Sequence, residues 1–213
     1  MRDTNDSHIR SCFRRLFALA AAIVLFISHP VAASIIVTVG NVSSNSPSSG
    51  NTLEVNLINT GLAPVSLAGF SFEIAVADPY ITFTSATTAT VATYVFAGNS
   101  LLGPIISTSS GQTLDAFDVW SGAGGATVAA GATVGLGHVF FDVSAGDSPG
   151  LVSVTLSPAA TSLFDSNGGN VTIDTLVNGS ITIAGSAVPE PATLALLGIG
   201  LIAFAATRRR TLN

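Results

Sequence analysis

The chain has 213 residues and a formal net charge of −5, with 9% charged residues. All seven basic residues lie within positions 1–15 or 208–213, so the 154 residues from Ser34 to Ala187 contain nine carboxylates and no Lys or Arg. This acidic stretch excludes nucleic-acid binding, which requires basic side chains, and disfavours anionic lipid surfaces. Its length fits a single domain, and its lack of cysteine excludes disulfide bonds.

The first 33 residues have the pattern of a secretory signal peptide. Three arginines at positions 10, 14 and 15 precede an apolar helix-forming run, Leu16–Ile27, and small residues follow at Val31-Ala32-Ala33. This pattern predicts cleavage between Ala33 and Ser34 by the secretory signal peptidase. Cys12 lies before the apolar run, so it is not placed to carry a lipid.

The stretch from 34 to 184 is dominated by alternation of apolar and polar residues, which is typical of half-buried strands. Gly, Asn, Asp, Ser and Pro turn residues separate these segments, and nothing predicts a helix. We therefore predict one all-β domain over 34–184, an antiparallel β-sandwich or jelly roll. Its predicted strands are Ile35–Val39, Leu53–Leu57, Phe70–Val76, Ile81–Thr84, Val91–Phe96, Leu114–Trp120, Val134–Val143, Val152–Leu156 and Leu176–Ile183.

Catalytic groups are scarce in this domain, which has one histidine, His138, and no cysteine or lysine. Nucleophile and phosphate-binding motifs are also absent from the sequence. Paired carboxylates for glycoside hydrolysis are available as Asp115 with Asp118, or Glu54 with Glu73. Alternation places Asp115 and Asp118 on opposite faces of their strand, in solvated positions, and turns His138 away from the core. We predict that the protein is not an enzyme.

Two kinds of ligand site are compatible with the sequence. Asp165 and Asn167 lie two residues apart in a glycine-rich turn, a spacing that suits the oxygen ligands of Ca²⁺, although an ordinary turn has the same composition. Trp120, Tyr94 and Tyr80 are the aromatic residues available to stack against sugars, with placement in the core as the alternative. The eight phenylalanines of the domain are predicted to be core residues.

The C-terminal segment, 185–213, contains the motif Val188-Pro189-Glu190-Pro191 near its start. An apolar run, Ala192–Ala206, and the cluster Arg208-Arg209-Arg210 follow. Fifteen helical residues span about 22 Å, less than the roughly 30 Å of a bilayer core, so we expect a short transmembrane helix over 192–207 with its arginines on the cytoplasmic side. A permanent membrane anchor is the alternative to a temporary one.

These residues closely resemble the PEP-CTERM sorting signal. The resemblance implies recognition by an exosortase in a Gram-negative bacterium, with a cut near Pro189–Pro191. It also implies a precursor held in the inner membrane and a product delivered to the cell surface or the extracellular matrix, in an exopolysaccharide or biofilm context.

The order of motifs within the domain resembles the cohesin-like family. The resemblance rests on Gly50–Val55, Ala68–Ile74, Leu136–Val143, Phe164–Gly168 and Asn178–Thr182. It implies a jelly roll of about nine strands that binds another protein, as classical cohesins bind dockerins. The expected function is an exported structural or adhesive module whose partner is a surface protein or an exopolysaccharide. A carbohydrate-binding module is the alternative.

Overall fold

The structure is a computed structural model that describes residues 33–107 and 111–185, together with Leu196. The helices predicted for the signal peptide and for 192–207 fall outside the described residues, apart from Ala33 and Leu196. Within the described part of the chain, no helix is long and apolar enough to cross a membrane.

The described residues form fifteen β-strands, which confirms the all-β prediction but exceeds the nine strands expected. The additional strands are mostly two to five residues long and lie at edges or in loops, where alternation is too short to be recognised. In chain order they are β1 (Ile35–Val39), β2 (Asn41–Asn45), β3 (Ser48–Asn59), β4 (Val65–Leu67), β5 (Gly69–Val76), β6 (Ile81–Thr87), β7 (Ile105–Ser107), β8 (Thr113–Val119), β9 (Ala126–Val128), β10 (Thr133–Val143), β11 (Gly150–Leu156), β12 (Ser162–Phe164), β13 (Asn170–Val171), β14 (Thr175–Val177) and β15 (Gly179–Ala184).

The strands assemble into two main sheets and a small ribbon. Sheet A has the order β14-β1-β3-β10-β6, and β4 pairs with β9 in the ribbon. Sheet B has the order β13-β12-β5-β11-β15-β2, with β8 on the other side of β5 and β7 beyond β8. The inner faces of sheets A and B pack together to form the core of a sandwich.

Two predicted strands differ from the structure. The segment Val91–Phe96 is a turn-rich connection rather than a strand, because Val91 is exposed while Tyr94, Val95 and Phe96 are all buried, which breaks the alternation. The predicted strand Leu176–Ile183 is interrupted at Asn178, whose side-chain oxygen accepts a hydrogen bond from the Leu156 amide at 2.9 Å. It forms β14 in sheet A and β15 in sheet B.

The core contains five of the eight phenylalanines of the domain as fully buried side chains: Phe70, Phe72, Phe83, Phe96 and Phe141. The prediction that all eight are core residues is wrong for Phe117, Phe140 and Phe164, which lie on the outer faces of the sheets. The buried hydrophobic residues of the described chain fall between Ile35 and Ile183. This sandwich therefore has a hydrophobic core of its own, as expected of an independently folding domain.

The two ends of the domain run side by side in the same direction, an exception to the antiparallel pattern. β1 pairs in parallel with β14, and β2 pairs in parallel with β15. The chain therefore enters at one end of the sandwich and leaves at the opposite end, near Gly185. Since β15 lies between β11 and β2 and buries Ile181 and Ile183, the fold is complete only when the chain extends to this strand.

Candidate functional site

At the Gly69 end of β5, the outer face of sheet B carries three exposed apolar side chains on the two strands that flank β5. Phe117 and Val119 point outward from β8 and are 39% and 38% exposed, and Phe164 of β12 is 37% exposed. Strand register places Val119, Gly69 and Phe164 in one row across the sheet. We call Phe117, Val119 and Phe164 the apolar patch.

Small residues separate the members of the apolar patch. Gly69 lies between Val119 and Phe164, and a Cβ atom at Gly69 would lie 3.7 Å from Cδ2 of the Phe164 ring. In the next row, Ser71 lies between Phe117 and Ser162, and the two serine hydroxyls form a hydrogen bond of 2.7 Å. Because Gly69, Ser71 and Ser162 have small side chains, the two phenyl rings project beyond their neighbours on this face and are accessible to a partner.

A connection between β6 and β7 extends the apolar patch along the edge of β8. Leu101 donates its amide to the Val119 carbonyl at 2.9 Å, and Ser100 forms an isolated bridge with Trp120. The side chains of Leu101 and Leu102 are both exposed. This connection therefore adds two aliphatic side chains beside Val119.

Asp118 fixes that connection in place from inside the domain. Its carboxylate is fully buried and accepts hydrogen bonds from the Tyr94 and Ser100 hydroxyls at 2.6 Å each, from the Val119 amide at 2.7 Å and from the Leu102 amide at 3.2 Å. Burial, followed by the hydrogen bond and charge of Asp118, raises the pKa of the Tyr94 hydroxyl. The Tyr94 hydroxyl therefore keeps its proton at physiological pH and donates it in a hydrogen bond to Asp118.

The burial of Asp118 corrects the prediction of a solvated carboxylate at this position. Asp115 does face the opposite side of β8, as predicted, so these two residues form no catalytic pair. Glu54 and Glu73 lie in different sheets and form no pair either. The carboxylates that meet are Glu73 and Asp115, which are cross-strand neighbours on β5 and β8.

The pair Glu73–Asp115 lies one row from Phe117 on the outer face of sheet B. Partial burial, followed by the hydrogen bond with Glu73 and its charge, raises the pKa of the Asp115 carboxyl. We call this pair the acid pair. It borders the apolar patch with negative charge, which gives the outer face an apolar part and an anionic part.

His138 points outward from sheet A, as predicted. Its Nδ1 atom contacts the Glu54 carboxylate on the neighbouring strand, and its ring lies 4.9 Å from that of Phe140, edge to face. Both side chains of the His138–Glu54 pair are largely covered. Within residues 33–107 and 111–185, no three His, Cys, Asp or Glu side chains are grouped so as to hold a metal ion.

The turn predicted to bind calcium is organised by the Asp165 carboxylate. Asp165 Oδ1 accepts the backbone amides of Asn167 and Gly169, both at 2.8 Å. This arrangement is an Asx turn, in which the carboxylate takes the place of a backbone acceptor. Calcium binding at Asp165 and Asn167 stays a prediction.

The three aromatic residues predicted to stack on sugars do not form a platform. Tyr94 is buried, and Trp120 is half-buried with its ring 5.9 Å from that of Phe96. Tyr80 is exposed and lies beside Gly146, where an added Cβ atom would be 3.4 Å from the Tyr80 ring. The exposed aromatics of sheet B are instead Phe117 and Phe164, which were predicted to lie in the core.

Two comparisons with known proteins yield matches. Residues 187–210 match the model of the PEP-CTERM protein-sorting motif. In structure, the chain is similar to a type I cohesin from Pseudobacteroides cellulosolvens, with a TM-score of 0.55, 14% identity and coverage of 74% of this chain and 96% of the cohesin. No curated protein matches the chain in sequence.

Two further solved structures are similar to the domain. A cohesin in a type I cohesin–dockerin complex from Clostridium thermocellum gives a TM-score of 0.54 at 14% identity, covering 71% of this chain and 99% of that one. A non-cellulosomal cohesin from Archaeoglobus fulgidus gives 0.52 at 14% identity, covering 71% and 92%. The chain therefore carries a PEP-CTERM sorting motif at 187–210 and has the fold of cohesins over most of its length.

Proposed function

We propose that this chain is an exported, non-enzymatic protein-interaction module whose partner docks on the outer face of sheet B. The observation that carries the proposal is the apolar patch, where two phenyl rings and a valine at one end of a sheet face are each more than a third exposed. Contiguous exposed apolar side chains with a polar border are typical of protein interaction sites.

The chemistry of the face indicates the partner. The domain has no Lys or Arg, and the acid pair borders the apolar patch, so a partner surface with apolar side chains beside a basic residue is complementary in shape and charge. One similar structure is a cohesin bound to a dockerin, and a dockerin-like module on another surface protein is the partner class that this similarity supports.

The position of the patch suits an anchored precursor. Val76 lies seven residues along β5 from Gly69 and pairs with Val154 of β11. Four residues further in the same direction, β11 reaches Gly150, which pairs with Ile183 near the point where the chain leaves the domain. At about 3.3 Å per residue, this places the patch roughly 36 Å from that end. A partner would reach the patch while the sorting segment is still held at the membrane.

The sorting motif supports the remainder of the proposal. A PEP-CTERM motif is the mark of an exported protein with a C-terminal sorting signal that is held transiently in the membrane. We infer an inner-membrane precursor in a Gram-negative cell, exosortase processing near Pro189–Pro191, and a mature product at the cell surface or in the extracellular matrix. Binding to exopolysaccharide is the alternative function. The burial of Tyr94 and the packing of Trp120 against Phe96 do not favour stacking of a sugar on these rings.

Photo-crosslinking in the native host tests the docking face. A photoreactive amino acid replaces Phe117 or Phe164 in the full chain, and Leu151, which is exposed at the other end of sheet B, is the matched control. We expect one protein species to be crosslinked from positions 117 and 164 and not from 151. Equal crosslinking from all three positions, or none from the patch, would refute this docking face.

A further inference from the structure

A cavity of about 490 Å³ opens at one edge of the sandwich. It lies between the β12–β13 pair and the segment that leads into β14. Its polar lining includes Thr161, Asn170, Asp174 and Thr175, and its apolar lining includes Val171 and Leu176. The volume is within the range of small-molecule sites, about 300 to 1,000 Å³.

The Asp174 carboxylate is held in a fixed position at this cavity. The Ile35 amide donates to Asp174 Oδ2 at 2.8 Å, and the Asp174 amide donates to the Ile35 carbonyl at 2.8 Å. A carboxylate accepts up to about four hydrogen bonds, so acceptor capacity remains for a ligand. Because β1 already orients the group, a ligand does not bear the entropic cost of ordering it.

Thr161 supplies a second observation. The residue is only 7% exposed, and its Oγ1 atom has no hydrogen-bond partner among the described residues. Its backbone amide is satisfied by the Ser157 carbonyl at 3.0 Å. Buried hydroxyls in folded proteins nearly always have a partner. Because the Oγ1 atom exposes almost no surface, a ligand hydroxyl would become its partner only after a small shift of the cavity wall.

Charge and lining narrow the class of ligand. The domain offers no basic side chain to an anion, and a single exposed carboxylate contributes only about 0 to 1 kcal/mol to binding a cation. A carboxylate, an amide and two hydroxyls beside aliphatic side chains instead suit a molecule with several hydroxyls and apolar C–H faces. We propose that this cavity binds one residue of a neutral sugar, free or as part of a glycan.

NMR titration of the isolated domain, residues 34–186, tests this site. The probes are glucose, galactose, mannose and N-acetylglucosamine, each to about 100 mM, because a few hydrogen bonds at an open cavity correspond to millimolar affinity. We expect saturable shifts of the amides of Thr161, Asn170, Asp174 and Thr175 with at least one sugar. The absence of saturable shifts with all four would overturn the proposal.

Two variants make the test specific. Asp174→Asn keeps an acceptor for the Ile35 amide, and we expect it to weaken sugar binding about tenfold, since a hydrogen bond to a charged group is lost. Thr161→Val keeps the shape of the side chain and is also expected to weaken binding. The matched control is Asp142→Asn, because Asp142 likewise accepts a backbone amide, that of Gly50 at 2.8 Å, and lies outside the cavity.

Other outcomes identify a different occupant. Unchanged sugar binding in Asp174→Asn, with a folded spectrum, would overturn the assignment to this cavity. Stronger shifts with methylammonium or arginine at the same amides would show a cation site instead of a sugar site. Phe117 and Phe164 do not line the cavity, but Asn170 is the cross-strand neighbour of Phe164. Thr161 and Asp174 are therefore the positions that distinguish binding at the cavity from docking at the apolar patch.

Discussion

Replacing Asp118 by Asn is expected to release the connection that carries Leu101 and Leu102 and to destabilise the whole domain. Each oxygen of the Asp118 carboxylate accepts two hydrogen bonds, from the Tyr94 and Ser100 hydroxyls at Oδ2 and from two backbone amides at Oδ1. In either orientation of an Asn side chain, its amide nitrogen faces two of these donors and cannot accept from them. Each hydrogen bond to a charged acceptor contributes about 1.5 to 3 kcal/mol, so the loss of two costs about 3 to 6 kcal/mol. For a domain of about 150 residues this lowers Tm by roughly 6 to 24 °C.

Tyr94→Phe separates one hydrogen bond from the network. It removes a single donor to a charged acceptor, so we expect a loss of about 1.5 to 3 kcal/mol. In the double variant the effect of Tyr94→Phe should be much smaller than in the wild type, because the two groups interact directly. Urea unfolding followed by the fluorescence of Trp120, the one tryptophan of the chain, measures all three variants.

Hydrogen exchange shows whether Asp118 specifically holds the connection that carries Leu101 and Leu102 or only stabilises the domain as a whole. The Leu102 amide donates to Asp118 Oδ1 and the Leu101 amide donates to the Val119 carbonyl, so both should exchange faster in Asp118→Asn under native conditions. Amides of β3 should change only through global stability. A stability within about 0.5 kcal/mol of the wild type, or unchanged exchange at Leu101 and Leu102, would refute the reasoning.

Three further predictions concern the acid pair, the end of the fold and the glycine-rich turn. Because the pKa of Asp115 is raised, the fold disfavours its ionised form, so its contribution to stability is present at low pH and falls as pH rises through the ordinary aspartate pKa to the raised one. Thermal melts at several pH values should show this fall in the wild type and not in Asp115→Asn. Glu73→Gln is the reciprocal control. Identical pH profiles for the wild type and Asp115→Asn would contradict the prediction. A chain ending before Ile183 should not fold, as measured by circular dichroism, whereas a chain ending just before Pro189 should keep the wild-type Tm. A cooperative unfolding transition in the shorter chain would disprove the structural role of β15. Asp165→Ala should cost about 1 kcal/mol because it leaves two backbone amides without their acceptor, and a rise in Tm with calcium that depends on Asp165 would establish the predicted metal site.

Strands with one buried face could be located from the amino-acid sequence alone. The alternation in β1, β5 and β8 reflects the two-residue period of a strand, which is a local property, so their positions agree with prediction to within one residue. The same local patterns predicted the all-β class. The sorting motif at 187–210 was also readable, because its recognition depends on contiguous residues.

Which face of each strand is covered by another layer depends on the tertiary fold. Asp118 and Phe117 are adjacent in sequence, yet the carboxylate is buried beneath the connection carrying Tyr94 and Ser100 while the phenyl ring is exposed. Local hydrophobicity predicted the reverse, because it does not register a chain segment that folds back to supply hydrogen-bond donors.

The candidate sites likewise depend on register between distant segments. Glu73 and Asp115 become neighbours only when β5 pairs with β8, and Val119 and Phe164 approach each other only because both of their strands flank Gly69. The cavity combines Thr161 with Asp174, which β1 holds through Ile35. Sequence periodicity assigns residues to faces, but pairing between strands far apart in the chain determines which of those residues meet.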